Sequence, residues 1–238
     1  MNNSTRYVIV NADDFGNSEG VNRGIIEAHE NGILTSASLM VNTPATKAAV
    51  KLAAEHPELG IGLHVNFTGE NEQIVDLEDL PSVRRELELQ FNFFTDLMGR
   101  LPTHVDSHQH VHAGYNIGWF FRDLCDRHRL PLRGYCEVVY CSGFYGQWEY
   151  GKTEEKYISP EFLISMLTGA NPGFTEIACH PGYITAGFDP LYNREREIEI
   201  RSLTDPRVKA AIEKEGIRLI NYGSIESGYG RLCDEKQP

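Results

Sequence analysis

Short apolar runs alternate with helical patterns along most of this 238-residue chain. The first apolar run, at 7–10, predicts a buried strand. The next segment, at 18–31, predicts a helix, because Val21, Ile25 and Ala28 recur at i, i+4 and i+7. The further predicted strands lie at 36–41, 61–66, 103–106, 134–139, 175–179 and 217–221, and the further predicted helices at 45–56, 82–99, 117–128, 160–167 and 205–215.

Two segments show neither the apolar runs of the predicted strands nor the spacing of the predicted helices. Residues 69–79 are polar and predict an insertion loop, whereas residues 140–158 are rich in Gly, Tyr and Trp and form the least regular part of the chain. Without an internal repeat or a linker-like stretch, we expect residues 1–238 to form one domain. About seven strands alternating with helices indicate an α/β protein with parallel strands and right-handed crossovers. This pattern leaves two architectures open, an open doubly wound sheet and a closed or incomplete (β/α) barrel.

Unusual polar residues follow the predicted strands. Residues 11–14 come after the first strand, His64 closes Ile-Gly-Leu of the third, residues 106–112 follow the fourth and His180 follows the sixth. The carboxyl ends of parallel strands share one face, where active sites are built. Side chains more than a hundred positions apart are therefore expected to converge there.

The segment 101–112 holds four of the nine histidines of the chain. Asp106, His108, His110 and His112 are spaced by two, so an extended segment would point their side chains to one side. A carboxylate with three imidazoles suits a metal ion. Alternating histidines can also line a polar strand face, so the cluster alone leaves both interpretations open.

Each of the other polar residues also has a structural interpretation. Asp13 and Asp14 could cap the first helix, although residues 17–18 stand closer to its start. His64 alone would more often be a core histidine, and His180, in Ala-Cys-His-Pro-Gly, could serve a turn. Four strands that each deliver Asp or His to one face favour a functional site instead.

Composition narrows the class of protein. A formal charge of −12 argues against nucleic acid or an anionic membrane as a partner. The N-terminus has no basic, apolar leader and no stretch approaches the ~20 apolar residues of a membrane helix, so we expect a cytoplasmic protein. An odd number of cysteines without zinc-site spacing indicates free thiols in a reducing compartment. These are Cys125, Cys136, Cys141, Cys179 and Cys233.

Four motifs together resemble a known family. Asn-Ala-Asp-Asp-Phe-Gly at 11–16, Gly-Leu-His at 62–64, the segment 102–112 and Cys-His-Pro at 179–181 resemble, in order, the motifs of the YdjC-like carbohydrate deacetylases. This family includes the chito-oligosaccharide and hopanoid-biosynthesis deacetylases. The resemblance implies a (β/α) barrel-like fold related to the NodB-type polysaccharide deacetylases, a divalent metal and removal of an N-acetyl group from a sugar or short oligosaccharide, with release of acetate.

The resemblance also implies roles for individual residues. Asp14, His64 and His108 would be the metal ligands, Asp13 the catalytic base and His180 the catalytic histidine. The resemblance does not settle the roles of His110 and His112, which could contact the substrate or support the metal ligands from behind. Residues 136–150 match the family least well, although Gly-Phe-Tyr-Gly at 143–146 is similar, so the identity of the sugar stays open.

Amide hydrolysis would divide the work among these groups. A metal bound by one carboxylate and two imidazoles lowers the pKa of its water from 15.7 toward ~7 and polarises the acetyl carbonyl. Asp13 would accept the proton of the water. His180 would protonate the amine, since an unperturbed pKa near 6.5 lets it carry a proton at neutral pH. The family implies Mg²⁺, whereas two imidazoles also suit Zn²⁺, Co²⁺, Ni²⁺ or Fe²⁺.

Five aromatic residues within 140–150 could stack on sugar rings or pin a long loop to the barrel. Tyr145 and Trp148 are the candidate substrate contacts among them. Two other functions compete. A two-metal amidohydrolase usually takes His-x-His from its first strand, where this chain has Asp13 and Asp14. A catalytically silent sugar-binding module would need neither Asp13 nor His180. The sequence leaves the oligomeric state open, a homodimer included.

Overall fold

The computed structural model describes residues 4–69, 73–185, 191–226 and 231–232, so Cys233 and part of the predicted 69–79 loop lie outside it. The strands are β1 Arg6–Phe15, β2 Ser36–Leu39, β3 Gly60–Val65, β4 Val105–Ser107, β5 Val139–Cys141, β6 Gly173–Cys179, β7 Arg218–Leu219, β8 Ile225–Glu226 and β9 Arg231–Leu232. The α-helices are α1 Glu19–Asn31, α2 Thr46–Glu55, α3 Leu80–Met98, α4 Gly118–His128, α5 Pro160–Gly169, α6 Arg194–Leu203 and α7 Pro206–Glu215.

Seven parallel strands form the main sheet, as the alternation of apolar runs predicted. Their order is β4-β3-β2-β1-β6-β5, and the short β7 pairs with the start of β1. The sheet is an incomplete barrel with helices around it, with β4 and β5 at its two edges. Of the two architectures left open by the sequence, the structure therefore has the barrel.

The central strand β1 extends further than predicted and includes the aspartate pair. Its pairing with β2 shifts register between Ala12 and Phe15, and Asp14 has a left-handed φ of 68°. Neighbouring side chains of a regular strand point to opposite faces. A bulge re-aims a side chain, and this one allows Asp13 and Asp14 to face the same side of the sheet.

Helix α1 follows the sequence closely. The Ser18 side chain accepts a hydrogen bond from the Val21 N–H and so caps the helix, while Val21, Ile25 and Ala28 are buried in the core. Helix α6 was not predicted. Its buried residues are mixed, because Glu195, Arg196, Glu199 and Ser202 are buried together with Ile198, Ile200 and Leu203. A search for an apolar stripe detects such a helix poorly.

The structure differs from the sequence interpretation in three places. The fifth strand is Val139–Cys141, because the chain turns through Gly134 at a φ of 76° before reaching the sheet. Residues His108–Ala113 form a 3₁₀ segment instead of continuing as an extended strand. Gln109 and His110 there both have a left-handed φ of 53°, so the histidines do not share one strand face. The hairpin of β8 and β9 was also not predicted.

Two expectations from composition can be compared with the structure. The four cysteines that it describes are free. Within its described ranges, the chain has no helix that is both long and apolar enough to cross a bilayer.

Candidate active site

A cavity of about 500 Å³ lies at the carboxyl ends of the strands. Predicted residues from β1, β3, the 3₁₀ segment and the end of β6 reach it, so distant parts of the chain converge as expected. Among its lining residues are Asp13, Asp14, His64, His108, His110, Tyr140, Tyr145, Trp148, His180, Tyr192 and Arg196.

His112 is the one predicted residue that does not line this cavity. It is buried, and its Nδ1 lies 2.6 Å from Oγ of Ser107, which also accepts a hydrogen bond from the His112 N–H. Burial lowers the pKa of His112 to about 4. The structure therefore gives His112 a part in holding the 3₁₀ segment that carries His108 and His110.

Asp14, His64 and His108 form a group that we call the metal triad. Oδ1 of Asp14 lies 3.1 Å from Nδ1 of His108 and 3.5 Å from Nε2 of His64. One ligand atom from each residue lies within 4.8 Å of the others, a spacing that fits one metal ion. One carboxylate and two imidazoles form a donor set that divalent metals accept.

His64 is oriented by Asp106 of β4. Its Nδ1 lies 2.7 Å from Oδ1 of Asp106, so its Nε2 faces the metal triad. This carboxylate–histidine arrangement recurs behind metal-binding histidines. Burial opposes a charge on His64, but the carboxylates of Asp106, Asp13 and Asp14 outweigh it and raise its pKa to about 10. The carboxylates around His64 thus favour a positive charge, whether a proton or a metal ion, between the three side chains of the metal triad.

Asp13 is held by an arginine. Nη1 and Nη2 of Arg133 donate to its two carboxylate oxygens at 2.8 and 2.7 Å, and Nδ2 of Asn11 donates to Oδ1 at 3.0 Å. Burial alone would favour the protonated acid, yet the guanidinium prevails and keeps the pKa of Asp13 below its usual value. Asp13 is consequently an ionised, oriented carboxylate.

The same guanidinium serves two further acids. Nη2 of Arg133 lies 2.8 Å from Oδ2 of Asp106 and 2.6 Å from Oε1 of Glu176, whose other oxygen accepts from the Tyr222 hydroxyl at 2.5 Å. We call Arg133, Asp13, Asp106 and Glu176 the Arg133 cluster. Sequence reasoning missed Arg133 and Glu176. The one indication in the sequence was that Arg133 follows the apolar residues Leu-Pro-Leu, which suggests a buried arginine that needs an acidic partner.

A second acidic group could in principle hold a metal. Asp13, His64 and Asp106 also place ligand atoms within 4.8 Å of one another. Arg133 already lies between the two carboxylates, at 2.7 Å from Asp13 and 2.8 Å from Asp106. This contact supplies the positive charge there, so the geometry favours one metal ion over the pair that an amidohydrolase would hold.

His180 stands next to Asp13, with 3.9 Å between its Nε2 and Oδ2 of Asp13. Burial lowers the pKa of His180 to about 4. The expectation that His180 carries a proton at neutral pH was therefore wrong, because the surrounding protein disfavours the imidazolium more than the nearby carboxylates favour it.

Arg196, which no sequence pattern indicated, reaches the site from α6. Its Nη2 donates to Oδ2 of Asp14 at 2.6 Å and its Nη1 to the His180 carbonyl at 3.3 Å. Burial opposes ionisation of Asp14, but Arg196 and the two histidines keep its pKa well below the usual value. Asp14 thus presents one oxygen to the histidines and the other to Arg196.

Aromatic rings form the rim of the cavity. Tyr145 stacks on Tyr192 with ring centres 4.7 Å apart, and Trp148 meets Tyr145 edge-on at 5.9 Å. Trp148 is 54% exposed. On another part of the wall, Nε2 of His110 lies 3.1 Å from the Tyr140 hydroxyl. The rim therefore combines apolar ring faces with polar groups, as small-molecule sites do.

Comparisons with known proteins agree with this geometry. A family model described as YdjC-like protein matches residues 7–214. The chain is 38% identical over 253 residues to a carbohydrate deacetylase of Geobacillus stearothermophilus, a match that covers 91% of this chain and 97% of that protein. It is 32% identical over 258 residues to a chitooligosaccharide deacetylase of Yersinia enterocolitica, covering 91% and 98%.

Solved structures show the same architecture. A protein of Enterococcus faecalis V583, provisionally named a cellobiose-phosphate cleavage protein, superposes with a TM-score of 0.78 at 29% identity, covering 93% of this chain and 99% of that one. The catalytic domain of a peptidoglycan N-acetylglucosamine deacetylase from Eubacterium rectale gives 0.60 at 8% identity, covering 98% and 96%. The second likeness is one of fold alone, and it agrees with the expected barrel-like fold.

Proposed function

The chain belongs to the YdjC-like protein family, and from that membership we propose that it is a metal-dependent carbohydrate deacetylase. Its substrate would be an N-acetylated amino sugar or short chito-oligosaccharide, and its products acetate and the free amine. One observation carries the proposal. The metal triad, the ionised Asp13 and His180 meet in a single cavity bordered by aromatic rings. The names of the curated relatives support the substrate class.

Charge balance supports one divalent ion at the metal triad. The carboxylates of Asp13, Asp14, Asp106 and Glu176 face two guanidiniums, those of Arg133 and Arg196. A metal ion would take the place of the proton that the raised pKa gives His64, and with neutral histidines two negative charges then remain, which one divalent cation would balance. Asp14, His64 and His108 would hold it. When bound, such an ion polarises the acetyl carbonyl and lowers the pKa of water. The family resemblance implies Mg²⁺ as this ion, whereas the two imidazole ligands also suit Zn²⁺ and other transition metals.

Asp13 is the better base of the two adjacent aspartates. Arg133 holds its carboxylate in a fixed orientation, and the metal triad does not use it. Asp14 is committed to Arg196 and to the two histidines. We therefore assign removal of the proton from the attacking water to Asp13, as the family resemblance implied.

The proton of the leaving amine would come from the same water. His180 starts neutral, because its pKa is about 4, so it must acquire its proton during the reaction. As the water oxygen bonds to the acetyl carbon, its proton passes to Asp13 and then across the 3.9 Å to Nε2 of His180. The C–N bond breaks as His180 gives this proton to nitrogen. Acetic acid and the amine account for all atoms.

The rim would bind the sugar. Tyr145 lies against His180, with 5.8 Å between ring centres, and Trp148 extends the aromatic surface toward solvent. Pyranose C–H faces pack on such rings as other apolar groups do. A sugar packed in this way would lie beside the histidine that would protonate its amine. His110 and Tyr140 offer further hydrogen-bonding groups within the same cavity.

Acetate release from a panel of N-acetylated mono- and oligosaccharides tests the function. We expect turnover that is lost after chelation and restored by Mg²⁺, Zn²⁺ or Co²⁺. Asp13→Asn should bind the sugars without turning them over. If the metal-loaded wild type binds the sugars without releasing acetate, the protein is a binding module instead. If it neither binds the sugars nor releases acetate, the proposal is contradicted.

A further inference from the structure

Two buried side chains of α6 meet the backbone of His180. Arg196 and Glu199 lie three positions apart on the helix, and Glu199 is fully buried. Residues spaced by three share one side of a helix. The sequence predicted neither residue, because apolar periodicity does not detect buried polar side chains.

Arg196 and Glu199 together bind the main-chain N–H and the carbonyl of His180. Oε2 of Glu199 accepts a hydrogen bond from the His180 N–H, and Nη1 of Arg196 donates to the His180 carbonyl at 3.3 Å. The Gly182 N–H also donates to the Arg196 carbonyl at 3.3 Å, so the turn after β6 is fastened to α6. We call Arg196 and Glu199 the α6 clamp.

The imidazole of His180 has little support of its own. Its Nδ1 is buried and has no hydrogen-bond partner among the residues that the structure describes. Its other nitrogen lies 3.9 Å from Asp13, beyond ordinary hydrogen-bond distance. The ring otherwise contacts Tyr145 and Tyr192, with centres 5.8 and 5.6 Å away. Its position therefore depends largely on where the backbone is held.

Tyr192 connects the clamp to the aromatic rim. Its hydroxyl donates to Oε1 of Glu199 and accepts from the Gly146 N–H at 2.9 Å. Its ring stacks on Tyr145 with an interplanar angle of 5°. Glu199 is thus the point at which the His180 turn and the loop carrying Tyr145 meet.

We propose that Glu199 is a positioning residue that sets the place of His180 through its main-chain N–H. The inference rests on the proposed role of His180 in protonating the amine. A shift of about 1 Å in a catalytic group can cost on the order of 10²-fold in rate. A general acid is needed far more for an amine leaving group than for the phenolate of an activated ester. Loss of Glu199 should therefore impair amide hydrolysis selectively.

Two substitutions of Glu199 separate its hydrogen bonds from its charge. Burial raises the pKa of Glu199 to about 8, so the carboxyl group is mostly neutral at pH 7. Glu199→Gln keeps an acceptor for His180 and should retain activity. Glu199→Ala removes both bonds and should not.

Glu195→Ala is the matched control. Glu195 is on the same helix and 1% exposed, but it accepts hydrogen bonds from Gln147 and Thr153 and makes none with His180.

The experiment compares hydrolysis of N,N′-diacetylchitobiose and p-nitrophenyl acetate by wild type, the Glu195 and Glu199 variants and His180→Ala. Glu199→Ala should lose on the order of 10²-fold in kcat for the amide and much less for the ester. His180→Ala should show the same selective loss. Glu199→Gln should restore the wild-type ratio of amide to ester rates, and Glu195→Ala should keep it. The affinity for Zn²⁺, measured by calorimetry, should be unchanged in Glu199→Ala.

Failure of the inference and failure of the proposed function give different results. If His180→Ala loses amide hydrolysis selectively and Glu199→Ala does not, the positioning role is wrong and the function stands. If His180→Ala shows no selective loss, the proton-transfer role is wrong. The ¹⁵N NMR signals of the His180 ring then test positioning directly. They should shift in Glu199→Ala and return in Glu199→Gln, and unchanged signals in Glu199→Ala would overturn the inference.

Discussion

The Arg133 cluster and the metal triad both place carboxylate groups in a buried setting, but they balance the negative charge differently. In the Arg133 cluster, one guanidinium contacts three carboxylates at 2.6 to 2.8 Å. In the metal triad, two imidazoles approach a single oxygen of Asp14, and a guanidinium takes only its other oxygen. One region supplies its own cation, and the other is arranged to receive one.

The contrast explains how two adjacent aspartates acquire different roles. Both are buried and both have lowered pKa values, so neither burial nor ionisation distinguishes them. Their partners do. Asp13 has arginine and asparagine donors and no place in the metal triad, whereas Asp14 faces His64 and His108. The predictions that follow test whether the two regions are as separate as this contrast implies.

The largest effect should come from the metal triad itself. His64→Ala and His108→Ala each remove a ligand, and we expect metal occupancy and activity to be lost together in both. His29→Ala is the control, because His29 is a partly buried histidine of α1 outside the metal triad. Metal analysis after dialysis measures the outcome. Full occupancy in both ligand variants would remove the basis for the metal triad.

The next effect should separate Asp13 from Asp14. Asp13→Asn keeps the shape of the side chain but cannot accept the proton of water, so kcat should fall by about 10² to 10⁴ with the metal retained. Asp14→Asn should lose the metal instead. Metal analysis and acetate release on the two variants give the answer. Loss of metal from the Asp13 variant, with retention in the Asp14 variant, would reverse the assignments.

Asp106 belongs to the Arg133 cluster but also orients His64 of the metal triad. A substitution of Asp106 therefore tests whether the two groups depend on each other. Asp106→Asn should weaken metal affinity by about 10- to 100-fold, the usual effect of removing a partner behind a ligand. Calorimetry with Zn²⁺ measures this change. Ser38→Ala, which removes a different hydrogen bond to Asp106, should have a smaller effect on affinity. Wild-type affinity in Asp106→Asn would show that His64 needs no orientation by Asp106.

The smallest effect should be one of stability alone. Tyr222→Phe removes the hydroxyl that donates to Glu176 and keeps the ring stacked on His104 at 3.9 Å. A buried oxygen left without its donor costs about 1–3 kcal/mol in the free energy of unfolding. Denaturant unfolding at constant m-value measures this loss. A tenfold change in metal affinity in the same variant would show that the Arg133 cluster and the metal triad are coupled.

The sequence predicted the parts of the site that follow from parallel strands. His64 and the aspartate pair stand at or near the ends of apolar runs, and such ends share one face of a barrel. The family motifs then separated His108 from its neighbours, which spacing alone could not do. The two-residue spacing does not apply here, because Gln109 and His110 have a left-handed backbone and the segment is not extended.

The parts that escaped prediction are the partners of the predicted residues. Arg133, Arg196 and Glu199 are buried polar side chains whose value lies in contacts across 19 to 182 positions of the chain. Periodicity measures where apolar groups recur, so a helix such as α6, which buries several polar residues among its apolar ones, gives only a weak signal. A single sequence therefore indicated the reactive groups more completely than the groups that hold them.

The bulge in β1 limits which amino acids this site can use. At position 14 the backbone has a φ of 68°, a conformation that Gly, Asn and Asp adopt far more readily than other residues. Of these three, Asp alone brings a negative charge. Glutamate, often treated as its equivalent, would add strain on the order of 1–2 kcal/mol before any effect on ligand geometry. A designer who transplants this centre into another barrel would need to carry over the irregular strand together with the side chains, because the backbone restricts the alphabet at this position as firmly as the chemistry does.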